Sequence, residues 1–266
     1  MPTCQCVNTS IHYQREGNGP TLLLLHGLGS SHRDWQAQID AFKSNFDVIA
    51  PDFPLHGESN GDIHTFSLPY CARIIHALLD ELEVEQAIVI GISMGGMVGL
   101  ELAIHHPQKV ARLAVVNALA ECKPRRWNEW WMLLSRRFLL AYVSVENIAK
   151  LMAKQLLPGK GLEEARKNAV ARWSRNDRES YIAAFNAVIN WSVTGRLAAV
   201  RCPIFILSAE HDYTPVGAKK VLAYIYPEGE MDCLNGAHHL APLEAPEQFN
   251  QRLSLWLLNS EHVSSV

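Results

Sequence analysis

The sequence predicts an α/β protein: a mostly parallel central sheet flanked by helices, with a helical segment inserted late in the chain. Three observations carry this. Runs that are apolar throughout recur along the chain, as in TLLLLHG (21–27), QAIVIGIS (86–93) and CPIFILSAE (202–210). Strands that are apolar on both faces belong to a sheet covered on both sides, which is the parallel kind. Between these runs lie stretches with apolar residues at helical spacing. The third observation is a break in the alternation: residues 119–198 hold no convincing strand.

The elements follow in order. CQCVNTSIHYQREG (4–17) reads as a weaker hairpin at an antiparallel edge. TLLLLHG is a buried strand ending at Gly27, and DVIAPDF (47–53) is a strand closed by Pro and Asp. In 66–82, Cys71, Ile74, Ile75, Leu78 and Leu82 share one helical face. QAIVIGIS is a strand, and MGGMVGLELAIHHP (94–107) is a helix stopped by Pro107. ARLAVVNA (111–118) is again a strand.

Within 119–198, three sets share helical faces: Trp127, Trp130, Trp131, Leu134 and Phe138; Val145, Ile148, Ala149, Met152 and Leu156; and Tyr181, Phe185, Val188 and Ile189. Five of the seven Trp lie here, so the segment is expected either to pack around an aromatic core or to line an apolar pocket as a lid. CPIFILSAE is a strand again, and EMDCLNG (230–236) reads as a strand before the last helix. A last helix carries Phe249, Leu253, Trp256 and Leu257. The domain expectation is a core of 1–118 with 199–266 and a helical cap or lid of 119–198.

Composition sets limits. The chain has 266 residues, 48% of them hydrophobic, and a formal charge of −3. That suits one domain with a large core, and gives no nucleic-acid footprint. The local cluster KPRRW (123–127) reads as a solvated face. No signal peptide is visible at the start, and no apolar run is long enough for a membrane span. The six cysteines show neither C-x-x-C nor zinc spacing. A reduced, cytoplasmic protein is expected.

GISMGG (91–96) matches G-x-S-x-G between a predicted strand and a predicted helix. Such a turn is so sharp that only small neighbours fit, hence Gly91 and Gly95. Ser93 then projects its hydroxyl from the end of the sheet, as a nucleophile requires. HGLG (26–29), after another strand, is the candidate oxyanion loop. The backbone N–H groups of Met94 and Leu28 are the expected donors, typically worth about 3–4 kcal/mol each in activation free energy. His26 is expected to organise that loop by hydrogen bonding. SAEHDYTP (208–215) follows a strand and offers a carboxylate to orient an imidazole. Asp212 is the choice, with Glu210 as a possible substitute. NGAHHLAP (235–242) offers two adjacent bases, His238 and His239, and position in the loop does not separate them.

In this order the motifs HGLG, DFPLHGES, GISMGG, AEHDYTP and HHLAPLEAPEQFN make nearly the whole chain resemble a lidded, single-domain α/β-hydrolase. The group includes small carboxylesterases, enol-lactonases, cofactor-free perhydrolases and C–C bond hydrolases. The resemblance implies that the base is His239, five residues before Glu244, so that the triad is Ser93, Asp212 and His239. His238 then stands where relatives usually have Gly, and Leu55 departs from the family in the same way. It also implies a serine hydrolase that cleaves a carboxylic ester or related acyl bond of a small molecule through an acyl-enzyme, with no cofactor and no metal. Enol-lactone hydrolysis, C–C cleavage and perhydrolysis are alternatives on the same fold. A ligand-binding receptor that keeps the triad is the non-enzymatic one.

Overall fold

The structure is a computed structural model and describes residues 2–124, 127–226 and 229–258. Among them, eight strands form one sheet: β1 (Thr3–Cys6), β2 (Thr9–Glu16), β3 (Thr21–Leu25), β4 (Asp47–Pro51), β5 (Ala87–Ile92), β6 (Val110–Val116), β7 (Ile204–Ala209) and β8 (Gly229–Leu234). Their order across the sheet is β1-β2-β4-β3-β5-β6-β7-β8. The first two strands pair antiparallel, and β2 meets β4 antiparallel; every later pairing is parallel. The edge hairpin and the parallel body are therefore where the sequence puts them.

Ten α-helices accompany the sheet among the described residues: α1 (Gln36–Phe42), α2 (Leu68–Glu81), α3 (Met94–His105), α4 (Trp127–Tyr142), α5 (Val145–Leu156), α6 (Glu163–Trp173), α7 (Arg178–Val188), α8 (Val216–Ile225), α9 (Ala241–Glu244) and α10 (Pro246–Leu258). Successive residues of a strand point to opposite faces. The run Leu22 to Leu25 therefore feeds two cores at once. Leu23 and Leu25 join the cluster that holds Ile74, Ile75 and Leu78 of α2. Leu22 and Leu24 join the cluster that holds Ile39 of α1 and Phe249, Leu253 and Trp256 of α10. Helix α2 starts where Ser67 Oγ accepts the Tyr70 N–H, a side-chain cap on an otherwise orphan donor.

Helices α4 to α7 lie between β6 and β7 and contain a small apolar cluster of Leu140, Ile148 and Phe185. Both ends of this segment meet at its base. Glu121 and Ser192 form an antiparallel bridge, flanked by Cys122 N–H to Trp191 O (2.9 Å) and Val193 N–H to Ala120 O (2.8 Å). Below them Glu101 of α3 is buried, accepting from Trp191 Nε1 (2.7 Å) and from Arg196 (2.9 Å).

The three apolar faces predicted in this segment do not share one fate. The residues Val145, Ile148, Ala149, Met152 and Leu156 line an internal cavity, as do Tyr181, Phe185, Val188 and Ile189. The face of Trp127, Trp130, Trp131, Leu134 and Phe138 is exposed instead. It is neither an aromatic core nor a pocket wall. Leu133, Arg136 and Leu140, on the other side of α4, line the cavity. The physical reason is that α4 is apolar on both sides, so periodicity alone does not choose its inner face.

Candidate active site

The cavity has a volume of about 250 Å³ and lies between the ends of the strands and helices α4 to α7. Ser93 lies on it, at the junction of β5 and α3. Its backbone is left-handed, with φ 55° and ψ −119°. This region costs a non-glycine residue about 1–3 kcal/mol, and a surrounding structure must enforce it. The enforcement is visible in the two flanking glycines. A Cβ on Gly91 would sit 2.3 Å from Gly95 O, and a Cβ on Gly95 would sit 2.1 Å from Leu25 O. Neither position accepts a side chain while the turn keeps its shape. Ser93 N–H donates to Val116 O at 2.9 Å, which ties the turn to β6.

Gly27, Leu28 and Met94 line the same cavity. Gly27 lies against Ser93, since a Cβ there would be 3.6 Å from the serine's own. Met94 opens α3, whose first N–H groups lack partners within the helix and favour negative charge. His26 is fully buried. Its Nδ1 faces Gly27 O at 2.8 Å and its Nε2 accepts the Phe53 N–H at 3.0 Å. Burial, helped by the neighbouring His56, holds its pKa down to about 3. The imidazole thus spans HGLG and the segment after β4, with burial disfavouring its charged form.

The two adjacent histidines part company. His239 is buried, lines the cavity and places Nδ1 2.6 Å from Asp212 Oδ1. His238 points its Nδ1 at Glu244 Oε1, 2.7 Å away, and its N–H donates to the same carboxylate. The backbone does not miss a glycine at 238: the left-handed residue of this loop is Gly236, at φ 70°. Leu55 differs, for it holds a left-handed φ of 65° with a side chain attached. The two carboxylates separate too. Glu210, near the surface, accepts from the Gly236 N–H, whereas Asp212 reaches the imidazole.

Four neighbours of this pair were not singled out in the motifs. Lys219 of α8 is fully buried and places Nζ 2.5 Å from Asp212 Oδ2, with Ser208 Oγ at 3.0 Å and Asn117 Oδ1 at 3.1 Å. Thr214 Oγ1 donates to the same carboxylate oxygen. Burial would raise the Asp212 pKa, but the His239 hydrogen bond and the charges of His239 and Lys219 outweigh it and hold the carboxyl below its ordinary value. Asn117, at the end of β6 with φ 46°, donates to His239 O at 2.9 Å and accepts from the Ala209 N–H at 2.8 Å. It fastens the loops of both partners.

Tyr213 is the fourth. Its hydroxyl is 3.1 Å from His239 Nε2, and the two rings stand 4.2 Å apart. With Nδ1–H directed to Asp212, Nε2 is an acceptor and the phenol donates to it. Although 58% of the residue's surface is exposed, burial around its hydroxyl and then the Asp212 charge push the phenol's pKa up, while hydrogen bonding with Ser93 pulls it the other way. The phenol therefore stays protonated between the serine and the imidazole.

One group offers metal-ligand chemistry among the described residues. His12, His32 and Asp52 are buried with ligand atoms within 4.8 Å of one another. The Asp52 oxygens already accept from the N–H groups of His32 (2.7 Å) and Glu58 (2.9 Å) and face His32 Nδ1 at 2.9 Å. These bonds account for the group as a fastener of the 52–59 segment. No helix among the described residues is long and apolar enough to cross a membrane.

Comparison with known proteins follows the geometry. A family model described as alpha/beta hydrolase fold matches residues 20–143. A relative from Yersinia enterocolitica, named as a candidate carbamate hydrolase, RutD, is 30% identical over 247 residues, which cover 90% of this chain and 87% of that protein. The 3-oxoadipate enol-lactonase 2 of Acinetobacter baylyi is 26% identical over 256 residues, or 93% of each chain. The crystal structure of the enol-lactonase from Burkholderia xenovorans superposes with a TM-score of 0.87 at 21% identity, covering 97% of this chain and all of that one.

Proposed function

This chain belongs to the α/β-hydrolase fold family and is a hydrolase of ester-type bonds, and on that premise we propose that Ser93, His239 and Asp212 are its catalytic triad. One observation carries the proposal: a serine held in a left-handed elbow shares a cavity wall with an imidazole hydrogen-bonded to a buried carboxylate. His239 Nε2 takes the proton as Ser93 Oγ attacks the ester carbonyl. The N–H groups of Met94 and Leu28 hold the oxyanion. Asp212 keeps Nδ1 protonated and stabilises the imidazolium, which then protonates the leaving alcohol. Water, activated by the same imidazole, releases the acid. None of these steps calls on a metal or a cofactor.

Tyr213 is part of this reading as a positioning residue. Its phenol holds the imidazole in the tautomer whose Nε2 accepts, and it gives up that nitrogen when Ser93 needs it. The segment 119–198 acts as the cap. Its inner face is mostly apolar, through Leu133, Leu140, Ile148, Met152 and Phe185, which suits a small ester with an apolar acyl group. The setting we assign is cytoplasmic, a reading supported by six cysteines with neither C-x-x-C nor zinc spacing.

The test is labelling with a fluorophosphonate, followed by mapping of the adduct and an ester-chain-length profile. One adduct on Ser93, absent in Ser93→Ala, supports the triad. An adduct on another serine, or ester turnover that survives Ser93→Ala, overturns it. Enol-lactones and carbamates belong in the same substrate panel, since relatives carry those names.

A further inference from the structure

Helix α4 is apolar on two sides, and only one of them is used among the described residues. Leu133, Arg136 and Leu140 face the cavity. On the opposite side Trp127, Trp130, Trp131, Leu134, Phe138 and Tyr142 are between 49% and 76% exposed. At 100° per residue these six fall within one arc of about 120° and run about 22 Å along the axis. The rings of Phe138 and Tyr142 lie 4.8 Å apart, so the stripe is continuous at its end. A continuous stripe of this length differs from the isolated surface apolar residues that need no explanation.

Composition and charge identify what covers it. Four of the six side chains are Trp or Tyr, whose rings are apolar with one polar handle and are favoured at the level of lipid headgroups. Residues 123–142 carry five basic residues, Lys123, Arg125, Arg126, Arg136 and Arg137, against the single acid Glu129, and with Arg136 turned to the cavity four of the five remain in the count for an outside partner. The chain as a whole is −3, so this positive segment stands out locally. A second copy of the chain fits poorly. A twofold contact sets the same patch against itself, which would bring the two basic segments together. An anionic bilayer surface offers both an apolar layer for the rings and opposite charge for the flanking cations.

We propose that the outer face of α4 docks this protein on anionic lipid membranes, with the helix lying in the interface plane. The roof of the cavity then sits at the membrane surface. The proposal does not depend on the triad, because no residue of the stripe lines the cavity.

The test is cosedimentation of the full chain with phosphatidylglycerol vesicles and with phosphatidylcholine vesicles. Binding to the first, weaker binding to the second, and a loss with added salt are expected. The triple change Trp131→Ser, Leu134→Ser and Phe138→Ser lowers binding by about tenfold or more, with turnover of a water-soluble short ester unchanged. Lys123→Gln with Arg126→Gln lowers binding to phosphatidylglycerol by about tenfold and leaves the remaining binding less salt-sensitive. Ser93→Ala binds as the wild type does, which keeps this result separate from the catalytic one. Absence of wild-type binding to either vesicle overturns the proposal. So does a concentration-dependent dimer in analytical ultracentrifugation that the triple change disperses, because a second copy would then occupy the face.

Discussion

The floor and the roof of the cavity are built by different means. The floor stands on strand ends. Ser93 follows β5, Asn117 follows β6, Asp212 follows β7 and His239 follows β8 by a short loop. Hydrogen bonds tie these strand ends together: Ser93 to Val116, Asn117 to Ala209 and His239, and Asp212 to His239. The roof, α4 to α7, has a small core of its own and is joined to the floor at its base, through the 120–122 and 190–193 backbone bonds and the Glu101 contacts. It also touches the floor through Asn176, whose amide donates to Gly29 O at 2.7 Å. The difference teaches where each kind of change is tolerated. On the proposed reading, chemistry would depend on the cross-linked floor, and selectivity would be set by a roof that can vary without disturbing it.

The floor breaks most severely at Asp212. Asp212→Asn keeps the shape of the site but offers the imidazole an amide, which allows the wrong tautomer. A fall of about 10⁴-fold in kcat is expected, measured on a p-nitrophenyl ester. Acid acts on the same group. Its folded pKa lies below its unfolded value, so its contribution to stability is present above the ordinary carboxylate value of 3.8 and is lost as pH falls through the lower folded one. Chemical denaturation followed from pH 6 downward checks this. Stability in Asp212→Asn loses less over that range than the wild type does. An equal acid response in both proteins would show that other carboxylates carry it.

The join between floor and roof is the next target. Glu101 is a carboxylate with no exposed surface, and it serves Trp191 Nε1 and Arg196 together. Glu101→Ala leaves a buried indole N–H without its acceptor and removes the charge that Arg196 pairs with. A loss of about 2–3 kcal/mol is expected in denaturant unfolding. Because the tie lies below the roof, protease cleavage within 119–198 should rise more than the global loss accounts for. Cleavage that tracks global unfolding would mean that floor and roof unfold as one unit.

How much of this could be read in advance follows from how local each signal is. The sheet was legible because a doubly covered strand must be apolar at every position, and runs such as TLLLL and AIVIGI leave little else to be. The candidate nucleophile was legible because a sharp strand–helix turn dictates its own glycines. The roof was only half legible. Periodicity groups Trp127, Trp131, Leu134 and Phe138 on one face but does not say which way that face turns. Lys219 lies in no motif, so the sequence reading does not single it out. Its signal was present: it lies three residues before Leu222 and four before Ala223, the other buried positions of α8, and Lys220 does not. The Tyr213 contact had no signal of its own, since it depends on how the 212–215 loop and the 237–240 loop meet.

Tyr213 tests how tightly the floor is wired. Its phenol holds His239 Nε2 at 3.1 Å, the nitrogen that a serine nucleophile needs. A neutral hydrogen bond of this kind is worth about 1 kcal/mol net. Tyr213→Phe frees the nitrogen at unchanged ring volume, so fluorophosphonate labelling of Ser93 should speed up about fivefold. Slower labelling would mean that the phenol relays the proton and belongs to the reacting atoms. The KM of a short ester separates the two cases further, for a displaced phenol raises the energy of binding and a relay does not.

The smallest effect is expected in the roof, and it is the one that decides whether the comparison holds. Met152 lines the cavity from α5, and methionine is a flexible filler whose loss neighbours can absorb. Met152→Ala should leave kcat for an acetate ester within about twofold, because none of the hydrogen bonds around Asp212 and His239 reaches α5. It should also favour longer acyl chains. Each methylene that gains a buried place is worth about 0.8 kcal/mol, or about fourfold in kcat/KM. A chain-length series from acetate to octanoate measures this shift. If Met152→Ala instead lowers turnover of every chain length equally, the roof positions the floor and the two are one machine. If the optimum moves and the acetate rate holds, selectivity in this fold is adjusted from above while the strand ends keep the chemistry in place.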